Sequence, residues 1–141
     1  MYLPDVNVLL ALAFEAHEHH PLAVVWLDTV RDQEVSVCRV VQSGFLRLAS
    51  NPALFGEEAL TLSEAWECYD RLIEDSRFVW TREPSGLEHY WRRLTLGSSY
   101  SPKVWTDRYL AAFAITGELR IVTFDAAFAS LHGLEAVVLG V

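Results

Sequence analysis

This sequence predicts an α/β fold with a mostly parallel central sheet flanked by helices, and three observations carry the prediction. Short β-branched and apolar runs alternate with longer helix-patterned segments along the whole chain. Proline and glycine punctuate the longest helical segment at its two ends. The runs Met1-Tyr2-Leu3-Pro4 and Ile121-Val122-Thr123-Phe124 each stop at an aspartate, Asp5 and Asp125. In parallel sheets the carboxyl ends of strands are where ligands bind.

Element by element, Met1 to Asp5 reads as a short strand and Asn7 to Phe14 as a helix. His17 to Pro21 reads as a turn, and Leu22 to Arg31 as a helix with Val25, Trp26 and Val30 on its apolar side. Val35 to Cys38 is strand-like and Val40 to Ala49 helical, with Ser50-Asn51-Pro52 as the stop. Thr61-Leu62-Ser63-Glu64 has the spacing of a capping box and opens a helix to about Asp75. Arg77 to Trp80 is a strand, Gly86 to Leu94 a helix, and Gly97 to Tyr100 a loop. Ser101-Pro102 suits a helix start and Gly117 its end. Arg120 to Phe124 is the next strand, followed by a helical turn through Phe128 and a closing strand at Ala136 to Leu139.

Composition narrows the class. The 141 residues fit one domain with a sizeable core, and 52% of them are hydrophobic. No apolar stretch reaches the length of a membrane span. The longest, Val6 to Phe14, follows directly on Asp5 and lacks the basic flank of a signal peptide. Cys38 and Cys68 lack metal-motif spacing and read as reduced thiols, so a cytoplasmic protein is expected. The net charge of -8 lacks the basic footprint of a free-standing nucleic-acid binder. Ten of the eleven basic residues are Arg, the exception being Lys103.

Three aspartates beside apolar runs need a common explanation. Asp5 and Asp125 fall at strand ends, and Asp107 shares a helical stripe with Leu110, Ala111 and Ala114, so it faces the sheet. Three carboxylates about 5 Å apart would repel by roughly 3 kcal/mol per pair at an effective dielectric near 20. A divalent cation among oxygen ligands offsets that repulsion. The bland alternative makes Asp5 and Asp125 turn formers and Asp107 a solvated helix residue.

Other features carry less. His17-Glu18-His19-His20 has the composition of a metal site but sits in the expected turn before Pro21. Arg47 lies on the same helix as Gln42 and reads as an ion-pair partner before a phosphate contact. The five tryptophans, Trp26, Trp66, Trp80, Trp91 and Trp105, are expected in the core or an interface, with one exposed ring free to stack on a base.

Four segments resemble PIN domains, especially VapC-type toxins: Asp5-Val6-Asn7-Val8-Leu9-Leu10, Phe45 to Pro52, Thr106 to Ala112, and Thr123 to Phe128. The resemblance spans nearly the whole chain in order. It implies one PIN-like domain over residues 1–141 and a metal-dependent endoribonuclease, usually dimeric and neutralised by a cognate antitoxin. Carried over by position, Asp5, Asp107 and Asp125 are the catalytic residues and the ligands of Mg²⁺ or Mn²⁺, with Asn7 and Thr123 as polar support. Structured RNA, tRNA included, is the implied substrate class.

One position departs from the pattern. The family carries an acidic residue in the first turn of the helix after the second strand, and this chain has Gln42 there. An amide oxygen can still reach a metal or its water, but it adds no charge. The rival reading is therefore a PIN fold that binds RNA or a protein without cutting. An aspartyl-phosphate enzyme is disfavoured, since the lone lysine is on a helix start and no paired aspartates accompany Asp5.

Overall fold

The computed structural model describes residues 1–141. Five short parallel strands form the sheet: β1 (Tyr2–Pro4), β2 (Val35–Val37), β3 (Phe78–Trp80), β4 (Arg120–Thr123) and β5 (Ala136–Val138), in the spatial order β3-β2-β1-β4-β5. Seven α-helices flank it: α1 (Val6–Ala13), α2 (His20–Leu27), α3 (Arg39–Ala49), α4 (Pro52–Phe55), α5 (Leu62–Ile73), α6 (Leu87–Thr95) and α7 (Val104–Gly117). The chain winds outward from β1 on one side through β2 and β3, then crosses to β4 and β5 on the other. That reversal beside β1 opens a crevice at the carboxyl edge, which is where such sheets place ligands.

The register places the site. Tyr2 pairs with both Val35 and Arg120, and Pro4 with Val122. Along β1 the Tyr2 N–H donates to Glu34 on the β2 side (2.8 Å) and the Asp5 N–H to Val122 on the β4 side (2.9 Å). By that alternation Pro4, which has no N–H, faces β2. It costs no bond to β4, so proline is tolerated at the end of a central strand.

One cluster of 26 buried hydrophobic residues forms the core, with Leu3, Val35, Val37, Ile121 and Val122 from the strands. Helices α1 and α3 cross closely at Gly44, where a Cβ would lie 2.6 Å from a Val6 methyl. Helix α7 buries Leu110, Ala111, Ala112, Phe113 and Ala114, so its small residues allow close approach to the sheet. No helix is long and apolar enough to cross a membrane.

Several boundaries differ from the sequence reading. Helix α2 begins at His20 and not Leu22, with Pro21 in its first turn, where a missing N–H is harmless. It ends at Leu27 because the Thr29 hydroxyl and N–H both take the Trp26 carbonyl, at 2.6 and 2.9 Å. Val25, expected on its apolar side, is exposed, while Trp26 and Val30 are buried. Pro52 does stop α3, yet it also starts α4, capped by the Asn51 side chain on Ala53 N–H at 2.9 Å. Helix α7 starts two residues after Pro102 and keeps Gly117 as its last residue. Glu118 takes the left-handed position (φ 55°), and the Leu119 N–H reaches back to Ala114 O at 2.8 Å.

The capping box at Thr61 forms as read, with Thr61 and Glu64 exchanging hydrogen bonds of 2.9 and 3.1 Å. Of the tryptophans only Trp26 is a core residue, whereas Trp66, Trp80 and Trp105 are exposed. Both cysteines are free thiols, Cys38 buried and Cys68 partly so.

Candidate functional site

Asp5 ends β1 and caps α1 in one step. Its extended backbone (φ -75°, ψ 175°) turns the chain into the helix, and its Oδ1 accepts from Val8 N–H at 3.0 Å. Its Oδ2 accepts from the Thr123 hydroxyl at 2.6 Å. That hydroxyl also accepts from Asp125 N–H at 3.0 Å, and Asp125 Oδ1 accepts from Ala127 N–H at 2.9 Å. A continuous hydrogen-bonded chain thus links the ends of the two central strands. Thr123 is fully buried and Asp5 is 7% exposed, while Asp125 lies open to solvent.

Asp107 arrives from α7. It is half-buried and lines a cavity of about 320 Å³ with Asp5, Asn7, Arg47, Lys103 and Thr106. A neighbouring cavity of about 250 Å³ joins Asp107 to Asp125 and Arg108. A third, of about 500 Å³, is lined by Asp5, Asn7, His17, His19, Lys103 and Asp125, among others. The three aspartates therefore share one edge of the sheet. A further cavity at the opposite, amino edge, around Tyr2, Glu118 and Arg120, shares none of these groups.

The electrostatics agree with that convergence. Burial pushes the Asp107 carboxyl up to about 6, and the negative charges of Asp5 and Asp125 add to the rise while Lys103 opposes it. Burial also raises Asp5, against the Thr123 and Val8 hydrogen bonds and the Lys103 charge, which favour its ionised form. At Asp107 burial and two neighbouring carboxylates together disfavour the ionised form, which is the condition a bound cation relieves. The donors are hard oxygens, suited to Mg²⁺ or Mn²⁺. They line shared cavities without closing into a preformed cage of three ligands. Mg²⁺ keeps several waters and takes only one or two carboxylates directly, so these residues fit such an ion.

The remaining site residues fall out unevenly. Asn7 lines two of the three cavities. Arg47 makes no ion pair and instead borders the cavity with Asp5 and Asp107, so the expectation of an ion-pair partner is corrected. Gln42, expected beside the aspartates, lines none of the three cavities they share; it is buried on α3, where its Oε1 accepts from the Arg39 guanidinium at 2.6 Å. The Tyr69 hydroxyl lies beside it without a well-directed partner, and Arg39 in turn covers the Trp80 ring at 4.7 Å.

Three residues not chosen from the sequence also border the site: Lys103, His17 and His19. Lys103 borders two of the cavities and bears on both Asp5 and Asp107. The available signal was its spacing, one turn before Asp107 on the same stripe. His17 and His19, read as turn residues, stack against Phe124 beside Asp125. That contact joins segments more than a hundred residues apart, and no local pattern reports it.

Comparison with known proteins agrees with this fold. A family model for the PIN domain matches residues 2–134. Ribonuclease VapC41 of Mycobacterium tuberculosis (strain ATCC 25618 / H37Rv) is 44% identical over 140 residues, 96% of each chain. VapBC2 from Rickettsia felis, solved bound to a DNA fragment from its promoter, superposes with a TM-score of 0.68 at 13% identity, over 98% of both chains. A toxin–antitoxin complex from Klebsiella pneumoniae gives a TM-score of 0.64 at 17% identity, covering 97% of this chain and 96% of that one.

Proposed function

The chain belongs to the PIN-domain family, alongside the VapC ribonucleases, and from that premise we propose that it is a metal-dependent endoribonuclease and the toxin of a toxin–antitoxin pair. The observation that carries the chemistry is the delivery of Asp5, Asp107 and Asp125 from three different elements to one edge of the sheet. Those three carboxylates would hold Mg²⁺ or Mn²⁺, which supplies a water of lowered pKa and charge stabilisation at the phosphoryl oxygens.

The protein's own residues do the positioning. Val8 N–H and the Thr123 hydroxyl hold both Asp5 oxygens, so this ligand cannot swing away. The Thr123 hydroxyl donates to Asp5 and accepts from the Asp125 backbone, which couples the two strand ends. Lys103 supplies the one ammonium at the site, a point charge for a substrate phosphate. Arg47 and Arg108 border the same region and extend the grip along the RNA backbone. Asn7 offers its amide to substrate or bound water. Structured RNA, tRNA included, is the substrate class.

An antitoxin is the natural partner. An acidic pocket attracts an inserted Arg or Lys, which displaces metal and blocks substrate together. The protein acts in the cytoplasm as a homodimer, and exposed Leu54, Leu62 and Trp66 supply apolar surface for such contacts.

The test is direct. Purified protein should cleave RNA with Mn²⁺ or Mg²⁺ and stop in excess chelator. Asp107→Asn should abolish cleavage while remaining folded. Equal cleavage by the wild type with and without chelator would overturn the metal assignment, and undiminished cleavage by Asp107→Asn would remove that residue from the site.

A further inference from the structure

His17 and His19 have no role in the chemistry above, yet they border the same cavity as Asp5, Asp125 and Lys103. Their neighbour His20 does the structural task in this loop, with its Nδ1 2.7 Å from Ala11 O. The other two rings are turned to Phe124. The His19 ring packs 4.6 Å from Phe124 at 29°, and His17 packs 6.4 Å from it at 20°. The loop is pinned, because the His19 N–H donates to His17 Nδ1 at 3.0 Å. The His19 side chain nevertheless stays 40% exposed.

A supported aromatic ring that stays partly exposed, its Nε2 3.2 Å from the Glu18 carboxylate, beside a cation and at the edge of an acidic site, is a stacking surface. The cavity of about 500 Å³ is within the range that takes a small organic group such as a nucleobase. The alternative use of two imidazoles is metal ligation, but no third ligand gathers with them. Phe124 immediately precedes Asp125, so a base lying on this surface belongs to a nucleotide next to the phosphate being cut.

We propose that His17, His19 and Phe124 form a base-stacking subsite for the nucleotide flanking the scissile phosphate, with Lys103 holding that nucleotide's phosphate. The subsite rests on the ribonuclease reading and adds to it the surface that orients the RNA strand. Stacking accepts any base, so it sets where the strand lies before it sets which sequence is cut.

The test uses the full chain, Ca²⁺ in place of Mg²⁺, and a short fluorescein-labelled single-stranded RNA. A second strand of the same length carries abasic riboses throughout. His19→Ala should weaken binding of the normal strand about tenfold and, in cleavage assays with Mn²⁺ in place of Ca²⁺, raise KM in parallel. His19→Phe, which keeps a ring but loses the imidazole, should restore the affinity. The abasic strand should bind wild type and His19→Ala alike. Phe124→Leu, which keeps an apolar side chain under the loop, should weaken binding in the same direction. Wild-type affinity in His19→Ala would overturn the subsite. So would a loss of kcat that His19→Phe fails to restore, since that assigns the imidazole to proton transfer. If the wild type neither binds nor cleaves RNA with Mn²⁺, the ribonuclease reading fails and takes the subsite with it.

Discussion

A carboxyl raised to about 6 ties Asp107 to stability as well as to metal. Its folded value lies above the ordinary 3.8, so between about pH 4 and 6 the folded state takes up a proton that the unfolded chain does not. The contribution of this group to stability therefore rises as pH falls through 6 and is complete below about 4. In chelator, Asp107→Asn should melt higher than wild type at neutral pH, and the difference should shrink towards pH 4. Metal must displace that proton, so the melting-temperature gain from Mn²⁺ should fade over the same window. Paired thermal melts with and without Mn²⁺ check both statements. At Gln42 the neighbour decides the effect of a restored charge. Arg39 already holds its Oε1 at 2.6 Å, so a carboxylate there would be partly neutralised. Gln42→Glu alone should tighten Mn²⁺ binding less than Gln42→Glu combined with Arg39→Gln, as titration calorimetry would show. Of the residues chosen from sequence, Asp5, Asp107 and Asp125 were legible because a strand end or a helical stripe gives each a direction, whereas Thr123 entered only through the family resemblance. The histidines were not legible, because their partner Phe124 comes from elsewhere in the chain, and Lys103 offered only its spacing from Asp107.

At the scale of elements, the site depends on how closely α1 packs on α3. Gly44 meets Val6 there, and Val6 follows Asp5 directly. A valine methyl on a stiff β-branched side chain cannot retreat freely. Gly44→Ala should therefore cost about 1–3 kcal/mol through overpacking and displace the start of α1. Chemical denaturation measures the first effect, and a weakened Mn²⁺ response measures the second. The strands and most helices were legible because their apolar period and caps are local, as at Thr61, whereas the short α4 capped by Asn51 was not. The two ends of α2 and the start of α7 were not legible either. The end of α2 is decided by the Thr29 hydroxyl and N–H on the Trp26 carbonyl, which composition does not announce.

At the scale of the whole molecule, a net charge of -8 limits how RNA can be held. Lys103, Arg47 and Arg108 are the cations that border the site. With about three phosphate contacts, the slope of log affinity against log salt should be about -2, shallow for a nucleic-acid enzyme. Anisotropy titrations across a salt series measure it, and a much steeper slope would require a larger basic surface contributed by a partner or second subunit. Light scattering should give a dimer at micromolar concentration. A monomer there would remove the homodimer from the proposal.

The sequence by itself determined the α/β class, the order of strands and helices, the position of two aspartates at strand ends and the inward stripe of a third. These follow from periodicity and turn chemistry within about a dozen residues, where backbone geometry leaves few choices. Only the tertiary structure decided that the strand order reverses beside β1 and that Thr123 ties Asp5 to Asp125. It alone brought Lys103, His17 and His19 to the same edge and turned the Gln42 amide to Arg39. Those outcomes depend on pairings between distant segments, whose register is set by the whole core burying its apolar faces at once.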